Sequence, residues 1–175
     1  MKLIANQITN LTDARYFAAR GLDGLIFDLE KMDPKEVLAI VEWIAGPDII
    51  IHTNQPESLD AAVASIAKAI WTNTTGWSLP VTTYRSWSKI LSAPSEDPTA
   101  WIVSEDNWDE FVQSKQYGSP VILWLNYPDT KWLNEAGTHS LWALMIDCGE
   151  EELTGIKSFE DYDDFIDAWE ELVAE

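Results

Sequence analysis

The sequence predicts one α/β domain spanning residues 1–175, folded as a small, trimmed (βα)8 TIM-type barrel with parallel strands. Three observations carry that expectation. Eight apolar runs of strand length can be counted along the chain. Capped helical segments separate the early runs, so strand, turn, helix and turn repeat. Several runs are nearly continuous in apolar character, as parallel strands covered on both faces require. A six- or seven-stranded open sheet is the rival arrangement, because the fifth and seventh runs are the weakest. Barrels of this type typically need about 250 residues. Several connections must therefore be short, and at least one helix, after strand four, must be deleted.

Taken in order, strand one is expected at 3–7. Asn10 then caps a helix with Asp13 at its third position, and Leu11, Ala14, Phe17 and Ala18 share a face. Gly21 can take the left-handed position that ends it. Strand two covers 24–29. The second helix is punctuated by Asp33 as cap, Pro34 at the first position, Glu36 at the third and Gly46 as its stop; Val37, Leu38, Val41 and Ile44 form its buried face. Strand three follows at 48–53. The third helix comes after Pro56, with Leu59, Ala62, Val63 and Ile66 inward, and strand four spans 69–73.

Beyond strand four the pattern shortens. Thr74 to Ser78 read as a turn, 80–84 as strand five, 87–91 as one or two helical turns and 92–98 as a polar loop. Strand six is expected at 100–104, a helix at 107–116, strand seven at 120–125, a short helix at 130–135 and strand eight at 141–147. Ser158 caps the last helix, with Asp161 at its third position and Phe159, Tyr162, Phe165, Ile166, Trp169 and Leu172 buried.

Composition bounds the function. Eleven basic residues against thirty acidic ones give a net charge of -19. A field of that sign repels nucleic acid and anionic membranes, so neither is expected as a partner. Eleven of the acids fall from Glu150 onward against the single Lys157, which reads first as a solvated helix face and second as a surface for a basic partner. No apolar run reaches the roughly 20 residues of a membrane span, and the N-terminus lacks a signal-peptide pattern, so a cytoplasmic location is expected. Cys148 is the lone cysteine and forms no internal disulfide. His52 and His139 have no ligand-like spacing, so no metal and no cofactor are expected. The ten tryptophans are expected mainly as core filling; Trp77 and Trp87 flank a turn-rich stretch and could line a pocket or cover one barrel end.

The opening stretch from Lys2 to Phe27, with Asn6-Gln7-Ile8-Thr9 and Asp13-Ala14 at its centre, resembles the start of phosphoribosylanthranilate isomerase. That family begins K-I-C-G-(I/L)-T-x-x-x-D-A. The likeness continues in Thr53-Asn54-Gln55-Pro56-Glu57, in Ile70-Trp71-Thr72-Asn73, and in Ile146-Asp147-Cys148-Gly149-Glu150 with Gly155-Ile156-Lys157-Ser158. It covers roughly the full chain.

The resemblance implies a tryptophan-pathway barrel whose reaction is an Amadori rearrangement of a phosphorylated amino sugar. Its general base is a Cys on the first strand, where this chain has Asn6, with Gln7 in place of the following Gly. Its acid is an Asp ending the sixth strand, where Val103-Ser104-Glu105-Asp106 stands. Its Arg after the second strand has no counterpart between Asp28 and Pro34, and Lys31 is a poor substitute for a bidentate donor. Of its glycine-rich phosphate loops, the first is absent, the second is replaced by Leu125-Asn126-Tyr127-Pro128, and the third survives as Cys148-Gly149, followed by three glutamates. The resemblance therefore carries the scaffold and not the catalytic motifs.

Working residues in such barrels project from the C-terminal strand ends. Those positions give a polar ring of Asn6, Asp28, His52 or Asn54, Asn73, Arg85, Glu105, Asn126 and Asp147, with Gly149 beside it; strand ends also turn polar simply on meeting water. Asn6, Asp28, His52, Asn73, Arg85, Asn126 and Gly149 are the expected ligand contacts, with Arg85 as the anion binder. Three readings follow. The first is a barrel that lost the active site and serves as a small-ligand-binding or protein-interaction scaffold. The second is a rebuilt enzyme using Glu105 or Asp147 as acid or base, with Asn6 and Arg85 positioning the substrate. The third is residual isomerase activity. Substrate and oligomeric state are not legible in the chain.

Overall fold

The computed structural model describes residues 1–74, 82–87, 99–114, 119–149 and 158–174. Eight parallel strands close on themselves in sequence order: β1 (Lys2–Asn6), β2 (Gly24–Asp28), β3 (Asp48–His52), β4 (Ala69–Trp71), β5 (Thr82–Ser86), β6 (Ala100–Ser104), β7 (Val121–Leu125) and β8 (Ala143–Asp147). The seam between β8 and β1 pairs Lys2 with Ala143 through to Asn6 with Asp147. The barrel is closed, so the open-sheet rival is set aside.

Six α-helices are described around it: α1 (Leu11–Ala19), α2 (Pro34–Val41), α3 (Ala61–Ile66), α4 (Trp108–Ser114), α5 (Lys131–His139) and α6 (Glu160–Ala174). Residues 72–81 separate β4 from β5. The expected turn at 74–78 lies largely outside the described residues, as do most of the helical turns at 87–91 and the loop at 92–98.

Local chemistry sets the ends of the early helices. Asn10 accepts the Asp13 amide at 2.9 Å to start α1, and Gly21, at φ +75°, ends it in the left-handed region. Asp33 and Glu36 form a reciprocal capping box with Pro34 at the first position of α2. The regular part of α2 ends at Val41, and single turns carry the chain on through Trp43 and Ile44 to Gly46. The third segment opens as a 3-10 turn at Pro56–Ser58, and Asp60 then caps α3. The helix expected at 130–135 continues to His139, because Ser140 supplies the left-handed terminus at φ 52°.

Strand alternation sorts the core into two layers. Inside the barrel, Ile4, Ile26, Ile50, Ile102, Ile122 and Met145 stack with Ala69, Ala100 and Ala143. On the outer face Leu3, Leu25, Phe27, Ile51, Val103, Leu123 and Leu144 pack against Phe17, Val37, Phe111, Phe165 and Trp169 from the helices. Each fully buried Leu, Ile or Phe contributes about 1.5–3 kcal/mol relative to exposure. The inner layer fixes which residue of each strand faces the mouth. At the opposite, N-terminal end, inward Lys2 lies 3.7 Å from Asp48 and 5.2 Å over the Trp142 ring. The charges facing inward there are compensated. Nearby, burial pushes the Tyr84 hydroxyl up to about 12.

Candidate functional site

Counting two residues on from the inner layer gives the side chains that face the barrel mouth. On β1, β2 and β3 these are Asn6, Asp28 and His52; on β4 and β7 they are Trp71 and Trp124. Ser86, Ser104 and Asp147 complete the ring on β5, β6 and β8. Lys and Arg are absent from these eight positions.

Asp147 is the hub. Its side chain is 8 % exposed, yet both oxygens are occupied. Oδ1 accepts from Asn6 Nδ2 at 2.7 Å and from the Trp124 indole N–H at 2.8 Å, while Oδ2 accepts from Gln7 Nε2 at 2.9 Å. All three donors are neutral. Burial holds the Asp147 carboxyl above the usual carboxylate range, opposed by the hydrogen bonds from Asn6, Trp124 and Gln7 and by the field of Lys31. Gln7 reaches the carboxylate from a left-handed backbone at φ 60°, a conformation glycine adopts freely and other residues adopt at a cost. Its own Oε1 faces Lys31 Nζ at 3.5 Å.

A second cluster adjoins the first. His52 Nδ1 lies 2.8 Å from Asp28 Oδ1, which also accepts the Glu30 amide. The imidazole sits 4.3 Å from the Trp71 ring, and Trp71 meets Trp124 edge-on at 5.6 Å and 77°. Trp71 donates its indole N–H to Ser86 Oγ at 3.0 Å. The mouth is thus lined by two carboxylates, an imidazole and two perpendicular indoles.

Of the residues expected to form the ring, Asn6, Asp28, His52 and Asp147 are brought together. Glu105 and Asn126 instead form a rim pair at 2.9 Å, outside the inward layer. Asn73 lies beyond the end of β4 and accepts the Ser86 amide. Asn54 is exposed, and its amide donates to Glu30. Gly149 follows β8 at φ +64°. Arg85 is the main displacement: its register partner is Trp101, whose side chain belongs to the outer layer. The guanidinium therefore points away from the mouth. It is 7 % exposed, and its Nε has no hydrogen-bond partner among the described residues.

Sequence reasoning missed Trp71, Trp124, Ser86, Ser104 and Gln7 as mouth residues. The signal that could have found the first two is parity, since each lies two residues past an inner-layer apolar side chain. Trp87, expected near one barrel end, packs edge-on to Phe111 in the outer layer; Trp77 lies outside the described residues. Cys148 is fully buried among outer-layer apolar side chains. Among the described residues no His, Cys, Asp and Glu group could hold a metal ion, and no helix is long and apolar enough to cross a membrane.

No protein-family model matches the chain, and no curated protein matches its sequence. Solved structures do match its fold. Phosphoribosylanthranilate isomerase from Thermus thermophilus superposes with a TM-score of 0.66 at 19% identity, covering 99% of this chain and 98% of that one. TrpF from Jonesia denitrificans gives 0.69 at 13%, covering 99% and 98%. A phosphoribosylanthranilate isomerase bound to reduced 1-(o-carboxyphenylamino)-1-deoxyribulose 5-phosphate gives 0.69 at 16%, covering 97% and 98%. This is their fold. At such identities the likeness is one of fold, over nearly the full length of both chains.

Proposed function

We propose that the chain is a functionally diverged barrel of the phosphoribosylanthranilate isomerase type that binds a small polar ligand at its C-terminal mouth and does not catalyse the isomerisation. One observation carries this reading: Asn6, at the place where the resembling family has its Cys base, spends its amide on Asp147 at 2.7 Å. An amide cannot take a proton from a sugar carbon at neutral pH.

The surroundings support the same reading. A phosphorylated substrate of the kind bound in one of the matching structures needs backbone N–H groups at close approach and a positive field. The turn after β6 presents Glu105 and Asp106 instead. The connection after β7 places Tyr127 against Asp161, to which its hydroxyl donates. Carboxylates at these positions oppose a dianion.

A rebuilt acid–base enzyme is the second reading, and it rests on Asp147: a buried carboxyl raised above its usual range in a barrel mouth is a frequent mark of proton-transfer sites. The deciding experiment incubates purified protein with phosphoribosylanthranilate and follows product fluorescence, then titrates small polar ligands against tryptophan emission. No turnover with a saturable emission change is expected. Turnover that Asp147→Asn abolishes would replace the first reading with the second.

A further inference from the structure

Asp147, a buried carboxylate with no ion-pair partner among the described residues and set beside two indoles, identifies the class of ligand the mouth would take. We propose that this ligand is a small organic cation, an amine or quaternary ammonium, in place of a phosphorylated sugar. The inference rests on the ligand-binding reading above and goes further by fixing the sign of the ligand's charge.

Buried charges in proteins are normally paired with an opposite charge. At the N-terminal end of this barrel Asp48 has Lys2 at 3.7 Å. At the mouth, Asp147 is more deeply buried, at 8 % exposure, and its three partners are Asn6, Gln7 and Trp124. None carries a formal charge. Lys31 bonds to Gln7 and acts on the carboxylate only through its field, without direct contact. Arg85 points to the outer face. His52 is engaged by Asp28. A carboxylate fixed in position by neutral donors, with no cation in direct contact among the described residues, is pre-organised to receive one.

The aromatic residues complete the argument. Trp124 donates to Asp147 with its N–H, so an indole ring and the carboxylate adjoin. Trp71 stands perpendicular to Trp124 with centroids 5.6 Å apart. Indole faces attract ammonium groups, and more strongly where water is excluded. Asn6, 3 % exposed, adds an amide oxygen beside the carboxylate its Nδ2 binds. Acceptors, a carboxylate and indoles suit a ligand rich in N–H or N–CH3 groups, and they oppose a dianion.

The test compares choline, its neutral isostere 3,3-dimethylbutanol, agmatine and ribose 5-phosphate by calorimetry and tryptophan emission. Choline or agmatine is expected to bind at least tenfold more tightly than the isostere and the sugar phosphate, and to weaken as salt rises. Asp147→Asn should cost that preference; Asp28→Asn, on the same ring, serves if the first variant fails to melt cooperatively. Equal or tighter binding of the isostere or of ribose 5-phosphate would overturn the charge assignment while leaving a ligand-binding mouth. Cation binding unaffected by the folded carboxylate variants would overturn the location. Silence from all four probes would remove the ligand-binding reading and this inference together.

Discussion

Asn6 and Asp147 share one register position across the seam that closes the barrel, and a 2.7 Å hydrogen bond joins their side chains. The bond ties β1 to β8 beyond the backbone ladder and orients the carboxylate at the centre of the mouth. Replacing Asn6 with Cys would install the resembling family's base but leave Asp147 short of one donor. Asn6→Cys is expected to show no isomerase turnover and to lose about 1.5–3 kcal/mol, the net worth of one hydrogen bond to a charged group, since Trp124 still donates to the same oxygen. Urea unfolding and a product-fluorescence assay on the same preparation check both parts. Measurable turnover would mean that the missing base alone silences the barrel.

Asp147 also sets a pH dependence. Burial raises its carboxyl in the folded state above the value in the unfolded chain, so over that interval the native protein holds more protons than the unfolded one. Stability contributed by this group is therefore complete below the unfolded value, near 4, and declines as pH rises through the folded value. Asp147→Asn removes the titration. The variant loses hydrogen-bond acceptors, so it starts less stable. Its deficit relative to the parent should shrink as pH climbs from about 4, where the unfolded carboxyl titrates, and level off once pH has passed the folded value. Denaturant midpoints at several pH values read this directly, and a deficit that widens with pH would contradict the assignment.

Much of this arrangement was readable in the chain, for physical reasons that also explain what was not. The strands announced themselves because both faces are covered, as in Leu25-Ile26-Phe27 and Ile49-Ile50-Ile51. Asn10 and Asp33 marked helix starts because their side chains satisfy amides that the helix leaves open. Asn6, Asp28, His52 and Asp147 were legible as polar residues ending apolar runs. Arg85 was misplaced because β5 lies two residues later than expected, at Thr82–Ser86 instead of 80–84. That shift moves Arg85 from beyond the strand end into the strand, where alternation turns it outward. Trp71 and Trp124 carried no signal of depth, since an indole inside an apolar run looks the same at the core or at the mouth; only register separates the two.

Gln7 offers a separable measure of backbone strain. Its φ of 60° lies in the left-handed region, and its amide donates to Asp147. Gln7→Gly and Gln7→Ala both delete the hydrogen bond, but only Ala keeps the steric cost of a Cβ in that conformation. The Gly variant should therefore be more stable than the Ala variant by about 1–2 kcal/mol. The Gly variant itself should lie close to the parent, with relief of strain offsetting the lost bond. Equal stability of the two variants would show that the backbone relaxes without cost.

Gly149 completes the support beneath the mouth. It sits at φ +64°, and a Cβ there would lie 2.9 Å from Tyr162 Oη. That hydroxyl donates to the Asp147 carbonyl at 3.0 Å, linking α6 to the end of β8. Gly149→Ala therefore meets two costs, a left-handed backbone and a steric overlap, and a combined loss of about 1–3 kcal/mol is expected. Tyr162→Phe removes the hydroxyl that the methyl would strike, at the cost of one buried hydrogen bond of about 1 kcal/mol. The two changes should be non-additive: in the double variant the alanine should cost less than it does alone, because only the backbone strain remains. A double-mutant cycle by thermal or urea unfolding measures that coupling. Strict additivity would mean that Tyr162 moves aside freely and that its hydroxyl does not hold the β8 terminus in place.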